Sequence, residues 1–419
     1  MYIQRTIEKT IKDASRDFPV LLLTGMRQVG KSWVMEHLAE SGRKYVSLDD
    51  LRIRELAKKD PEGFIQEYPP PVIIDEIQYA PELFTYIKIH VDSQKSAYLK
   101  KGGRGLKPQG LFWLTGSQKF RLMEGIQESL AGRVAVLDML GLSYREKIGK
   151  PWEGRPFLPS LDRSSWEAPD RPLTSPQVFK QIWNGFFPEL AADPKMDRTR
   201  FYESYIQTYI ARDVRDFYQV RDELAFFNFL TALAARTGEL LNYHNLAGDA
   251  GIDGRTAKLW LAILERSGII QFLRPYHANI TKRVVKAPKV YFLDTGLAAY
   301  LARWNTAESL ATGAQKGAML ETWVFAEILK SYWHNGAIPN IYFYRDTNGR
   351  EIDFLIEQDM TLYPIEVKKT AMPRGDDVKH FKALEQFGKK IGPGAVLCLC
   401  SRALPLADLK VLSMPVWEI

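Results

Sequence analysis

The chain has 419 residues, 46% of them hydrophobic and 26% charged, a balance that supports two or three compact domains and excludes a disordered scaffold. Its formal net charge of +7 comes from basic residues that recur in loops along the chain, which fits a phosphate-bearing partner without naming one. No window approaches the ~18 apolar residues of a membrane span, and the amino-terminal MYIQRTIEKTIKD has no signal-peptide core, so a cytoplasmic protein with no membrane partner is expected.

From Pro19 to Asp138 short apolar runs (FPVLLLTG, KYVSLDD, PPVIIDE, GLFWLTGS, RVAVLDM) alternate with helical stretches, which is the rhythm of a parallel sheet with crossover helices. Residues 151–176 then carry six prolines and few aliphatics, a connector unable to hold a long helix or a central strand. Residues 178–275 are mostly helical in period. From about residue 313 a long helix, strands and a last helix form a third α/β unit. Cys398 and Cys400 stand two apart in AVLCLC, where a mutual disulfide would be strained, and they read as buried thiols.

The first chemical motif is Gly25-x4-Gly30-Lys31-Ser32, directly after an apolar strand and before the helical WVMEHLAE. The glycines let backbone N–H groups curl around phosphate oxygens, with Arg27 and Gln28 inside the loop. Lys31 reaches the β- and γ-phosphates, and the Ser32 hydroxyl ligates Mg²⁺. Downstream, PPVIIDEIQ ends an apolar strand in Asp75, placed to hold Mg²⁺ through water, and Glu76, placed to polarise the attacking water. LFWLTGSQ ends another strand in Thr115 and Ser117, which either sense the γ-phosphate or cap the following helix.

On these motifs residues 1–145 resemble an AAA+ ATPase. TGMRQVGKS, VIIDEIQ and LTGS together are similar to the bacterial and archaeal ATP-binding proteins that carry a C-terminal domain of unknown function, DUF4143, and YIARDV and KVYFLDTGLAAYL resemble that family's second half. The resemblance implies ATP and Mg²⁺ as cofactors. It also implies a homo-oligomer, a ring such as a hexamer, or a filament, because Arg133 in ESLAGRVAVLDM matches the arginine that reaches a neighbouring subunit's nucleotide. The alternative for Arg133 is a local pair or cap at a strand entry, and Arg212 in YIARDV is a second candidate for nucleotide sensing.

HNLAGDAG, a turn and DGRTAKLWLAILERSG, followed by the strand IIQFL, read as a helix-turn-helix with a wing. Arg255, Thr256 and Lys258 open the second helix, and Lys282, Arg283, Lys286 and Lys289 lie on the wing, a layout suited to DNA phosphates or equally to a protein partner. A second basic loop carries Lys100, Lys101, Arg104 and Lys107, either facing the channel of a ring or simply exposed.

LETWVFAEILK places Glu321 on an amphipathic helix. GREIDFLIE places Asp353 on a strand, and LYPIEVKKT places Glu366 and Lys368 on one face of the next. A hairpin turning at EQDMT brings Asp353 beside Glu366, where a divalent ion would relieve their repulsion. The set resembles the PD-(D/E)xK nuclease superfamily, with Ile352 where a proline often stands. It is read as cleaving DNA, as binding without cleavage, or as a solvated sheet edge, and Lys379 or Gln386 is expected to join it. The expected fold class is therefore α/β: a P-loop AAA+ parallel-sheet domain (1–150), a linker (151–176), a helical and winged-helix middle (177–312), and an α/β nuclease-like domain (313–419). The expected function is Mg²⁺-dependent ATP hydrolysis by an oligomer, coupled to DNA binding and metal-dependent DNA cleavage; the alternative is an ATP-controlled switch or scaffold that binds DNA or a protein partner, with a nuclease-like domain that does not cleave.

Overall fold

The computed structural model describes all residues except 1, 106, 118, 162–171, 211–222, 278, 280–285 and 407–409. The chain forms two compact units: residues 1–153 with 266–268 and 333–336, and residues 154–265 with 269–332 and 337–419. The second takes in both the helical middle and the C-terminal sheet. Within this second unit the helical middle and the sheet are joined where Tyr276 N–H donates to the Phe343 carbonyl at 2.6 Å and Phe343 N–H donates to the Arg274 carbonyl at 3.1 Å.

In the first unit five strands, β1 (Val20–Thr24), β2 (Lys44–Ser47), β3 (Val72–Asp75), β4 (Phe112–Gly116) and β5 (Val134–Asp138), form a sheet in the order β2-β3-β4-β1-β5 with every pairing parallel. β1, β3 and β4 are buried along their whole length, which explains why their sequences are apolar runs without alternation. Helix Leu83–Lys100 lays Phe84, Ile87 and Val91 on one face of this sheet, against Val20, Leu22, Ile74 and Leu114. Because β4 lies between β1 and β3, the carboxyl ends of these three strands stand side by side, and parallel α/β sheets bind ligands at that edge.

In the second unit helices Tyr243–Ala250 and Gly254–Arg266 precede an antiparallel ribbon of β6 (Ile270–Leu273) and β7 (Lys289–Phe292). Asn242 caps the first helix, and Asp253 accepts from Arg255 and Thr256 N–H groups at the start of the second. Asp294 in LDTG caps helix Thr295–Leu301 and also accepts from Phe186 N–H and Tyr202 OH. A Cβ at Gly296 would sit 2.1 Å from Tyr202 Oη, so that motif has a packing reason.

The C-terminal sheet is mixed and consists of β8 (Ile341–Arg345), β9 (Glu351–Gln358), β10 (Thr361–Lys368), β11 (Lys390–Ile391), β12 (Gly394–Cys398), β13 (Leu404–Pro405) and β14 (Val411–Pro415). Its order is β13-β14-β12-β10-β9-β8, with β11 on β10. β9 and β10 pair antiparallel through a two-residue turn, Asp359 and Met360, both at positive φ, which suits the twist of a tight hairpin. The helix expected at DVKHFKALEQFGKK is a 3₁₀ helix, Gly375–Phe387. Cys398 and Cys400 are free and buried. No helix among the described residues is long and apolar enough to cross a membrane.

Candidate functional site

The loop Gly25–Gly30 leaves β1 and turns directly into helix Lys31–Leu38. Gly25 adopts φ +143, and a Cβ there would lie 2.0 Å from the Met139 carbonyl oxygen, so only glycine fits. Gly30 is left-handed at φ +91, and Gln28 takes φ +61 inside the same turn. Lys31 is buried, and its Nζ donates to the Gly25 and Met26 carbonyls at 3.0 and 2.8 Å. The ammonium is thus held against the backbone carbonyls of the loop. Arg27 is placed in the same turn.

Ser32 Oγ lies 3.0 and 3.1 Å from the two carboxylate oxygens of Asp75. Tyr45 OH donates to Asp75 at 2.7 Å, and Thr115 Oγ1 donates to it from β4. Glu76 takes a left-handed conformation at φ 55, unusual for a residue with a side chain; strain of this kind concentrates at functional sites. Its carboxylate accepts from Gln78 Nε2, and from Ser117 Oγ at 3.4 Å. The sequence-chosen set Lys31, Ser32, Asp75, Glu76, Thr115 and Ser117 is therefore gathered at one edge of the sheet. Tyr45 and Gln78 were not anticipated; they lie on β2 and two residues beyond Glu76, and no spacing rule marks them.

The loop is held from behind. Arg5 is buried, and its guanidinium donates to Val29 O at 2.8 Å, to Leu140 O at 2.7 Å and to Glu146 at 3.0 Å. Glu146 also accepts from Thr6 N–H, and His334 Nδ1 stands 3.2 Å from it. Burial works against charge on Glu146, but Arg5 and His334 outweigh it and hold this carboxyl well below the usual range.

Arg133, entering β5, donates from Nε and NH2 to both Asp92 oxygens at 2.7 and 3.0 Å. The local pair that the sequence allowed is the arrangement within one chain. Lys100 ends helix Leu83–Lys100, Lys101, Arg104 and Lys107 follow it in the loop before β4, and all four are exposed. Arg255 and Lys258 are exposed at the start of their helix, and Lys286 is exposed. Lys282, Arg283 and Arg212 lie outside the described residues.

The acids Glu321, Asp353 and Glu366 come together with partners that the sequence reading missed. Lys289 was expected on the wing facing phosphates. It is buried instead, 3.0 Å from Glu321 and 2.7 Å from Glu351, because it opens β7 and its alternation with Tyr291 turns both side chains toward helix Lys316–Trp333. Tyr291 OH donates to Glu321 at 2.5 Å, Asp353 accepts from Val367 N–H at 2.8 Å, and Lys368 Nζ donates to Glu366 at 2.6 Å. Burial, with the Asp353 charge beside it, pushes Glu321 up to about 7 and Glu366 up to about 8. Burial also raises Asp353. Burial opposes charge on Lys289, but Glu321, Asp353 and Glu351 outweigh it and raise its pKa. Among the described residues no group of three or more His, Cys, Asp or Glu is arranged to hold a metal ion. Of the acids expected to hold a metal, Glu321 is paired with Lys289 and Glu366 with Lys368. Gln386 does not join the acids, donating to Tyr344 OH and Ala383 O, and Lys379 lines a pocket with Pro364 and Lys382.

Residues 17–148 match the model of an AAA domain, 175–308 that of a domain of unknown function, DUF8612, and 316–417 that of another, DUF4143. The chain carries an AAA domain followed by a DUF4143 domain. Two similar curated proteins are an uncharacterized protein of Mycobacterium tuberculosis and one of Mycobacterium bovis, each 26% identical over 373 residues, which is 88% of this chain and 75% of theirs. Among solved structures the Walker-type ATPase of Pyrococcus abyssi is 14% identical, covers 72% of this chain and 96% of its own, and has a TM-score of 0.43. The Aeropyrum pernix ORC2 protein in its ADP form is 12% identical, covers 77% and 95%, and has a TM-score of 0.31. The AAA domain gives the first unit an ATPase-like fold, one that fits nucleotide hydrolysis.

Proposed function

We propose that this AAA-domain protein hydrolyses ATP with Mg²⁺ and uses nucleotide state to control contact with DNA, as a homo-oligomer. The observation that carries the first part is Ser32 beside Asp75 at the mouth of a glycine loop whose lysine is already inside it. These residues fit the cation: a hydroxyl and a carboxylate are the hard oxygen donors that Mg²⁺ takes, with water completing its shell. When bound it would neutralise charge on the β- and γ-phosphates. Lys31 would exchange loop carbonyls for phosphate oxygens, Glu76 would orient the attacking water, and Thr115 and Ser117 would keep Asp75 and Glu76 aimed.

The DNA part is supported by exposed Arg255 and Lys258 at the start of the second helix of a helix-turn-helix pair, where side chains can meet a groove and its phosphates. Arg133 would complete a neighbour's site on leaving Asp92. The test is ATPase activity with and without duplex DNA for wild type, Lys31→Ala and the double variant Arg255→Ala, Lys258→Ala, with a salt titration of DNA binding. Expected are Mg²⁺-dependent turnover lost in Lys31→Ala, and a salt slope reduced by about 1 per phosphate contact in the double variant. A wild type without turnover, or DNA binding identical in the double variant, rejects the corresponding half. Light scattering with a non-hydrolysable ATP analogue tests assembly, and a monomer throughout rejects the oligomer.

A further inference from the structure

The acid cluster of the C-terminal sheet brings its own cation. Glu321 comes from helix Lys316–Trp333, Glu351 and Asp353 from β9 and Glu366 from β10, and the Lys289 ammonium bridges the first two at 3.0 and 2.7 Å. The Lys289 side chain is 5% exposed, its residue begins a paired strand opposite Leu273, and Pro288 precedes it. Its side chain is enclosed and paired with two carboxylates, so the charge lies among the acids. Lys368 stands on the other side, 2.6 Å from Glu366.

A divalent ion in this cluster would need several carboxylate oxygens within roughly 2.0–2.6 Å. Glu321 Oε1 is already shared by Lys289 and Tyr291, and one Asp353 oxygen is taken by the Val367 N–H. A metal entering there would meet a fixed positive charge and would have to displace it. The donor set therefore does not fit the metal that a PD-(D/E)xK resemblance implies.

We propose that Lys289, paired with Glu321 and Glu351, supplies the positive charge that a divalent ion would bring to this cluster, so that this domain keeps its acids together without metal and does not cleave a phosphodiester by metal-activated water. Neutralising the cluster internally preserves a folded hairpin with Lys368 at its edge, a surface able to meet a phosphate without cutting it. Removing the Lys289 charge opens a metal site that the native chain lacks. This inference is independent of ATP hydrolysis at the phosphate loop.

The experiment titrates nucleotide-free full-length protein with Mn²⁺, following the free ion by electron paramagnetic resonance, in a Lys31→Ala background that removes loop-bound nucleotide. Asp353→Asn, Lys289→Ala, Lys289→Arg and the double variant Lys289→Ala, Asp353→Asn are compared with the parent. The expected result is the same Mn²⁺ uptake in parent, Asp353→Asn and Lys289→Arg, an added Mn²⁺ equivalent in Lys289→Ala, and its loss in the double variant. Mn²⁺ bound by the parent and lost on Asp353→Asn overturns the proposal, as does a folded Lys289→Ala protein that gains no ion. If Lys289→Ala does not fold, as judged by circular dichroism, the parent against Asp353→Asn comparison decides.

Discussion

Ser32 and Asp75 are 43 residues apart in sequence, yet the serine hydroxyl lies within 3.1 Å of both oxygens of the aspartate. Two further hydroxyls, of Tyr45 and Thr115, fix the same carboxylate. A carboxylate held from three sides is preorganised to act on a metal–water shell with little reorganisation. Asp75→Ala is therefore expected to lower ATP turnover by about 10²-fold or more while the melting temperature changes little. Tyr45→Phe, which removes one orienting hydrogen bond, should give a smaller loss. A steady-state phosphate-release assay over a Mg²⁺ series checks both, and unchanged turnover in Asp75→Ala excludes this role.

Arg5 supports the glycine loop through the Val29 carbonyl. Its guanidinium, with Glu146, is buried and bound to the Val29 and Leu140 carbonyls. Replacing it by Met leaves Glu146 without its main counter-charge, and a buried partner stranded in this way typically costs about 3–5 kcal/mol. Urea unfolding of Arg5→Met should show a loss of that order, and a loss below about 1 kcal/mol would mean that the network contributes little.

The phosphate loop was legible because its signal is local: glycine spacing, a preceding apolar run and a following helix. The strand-end residues Asp75, Glu76, Thr115 and Ser117 were legible because each stands at the end of a run of buried apolar residues. Arg5 was not, since its partner Glu146 is 141 residues away and no periodicity links them. Lys289 was misread for a different reason. In ITKRVVKAPK it looks like the last charge of a basic run, while its place two before Tyr291 makes it the first inward residue of β7. An alternation reading of KVYF would have placed both on one buried face.

The Arg133 and Asp92 pair is partly exposed, with side chains 32% and 42% accessible, and pairs of this kind contribute about 0–1 kcal/mol. Arg133→Ala should therefore leave thermal stability nearly unchanged. If the arginine serves a neighbouring subunit's nucleotide, the same variant should abolish the rise of specific ATPase activity with protein concentration, and Asp92→Ala, which releases the arginine, should retain that rise. Activity per chain that is independent of concentration in wild type removes the case for a role between subunits.

The buried acids also set a pH dependence whose two limbs have opposite signs. Glu321 and Glu366, raised to about 7 and about 8 by burial and by Asp353, hold protons in the folded state that the unfolded chain has released. Their stabilisation is complete below the ordinary carboxyl pKa and is lost as pH rises through the folded values. Glu146, which Arg5 and His334 depress against its burial, acts in reverse: its stabilisation is present above the ordinary carboxyl pKa and is lost as pH falls. Burial opposes charge on Lys289 and Lys368, but their acid neighbours outweigh it and keep both protonated, and Tyr291 stays neutral because burial and Glu321 raise its pKa. The melting temperature should then fall between about pH 6 and about pH 8.5, and Glu321→Gln with Glu366→Gln should flatten that limb. Arg5→Met should alter only the acid limb. Differential scanning calorimetry across this range reads both effects, and a wild-type melting temperature that rises on going from about pH 6 to about pH 8.5 contradicts the protonated-acid arrangement.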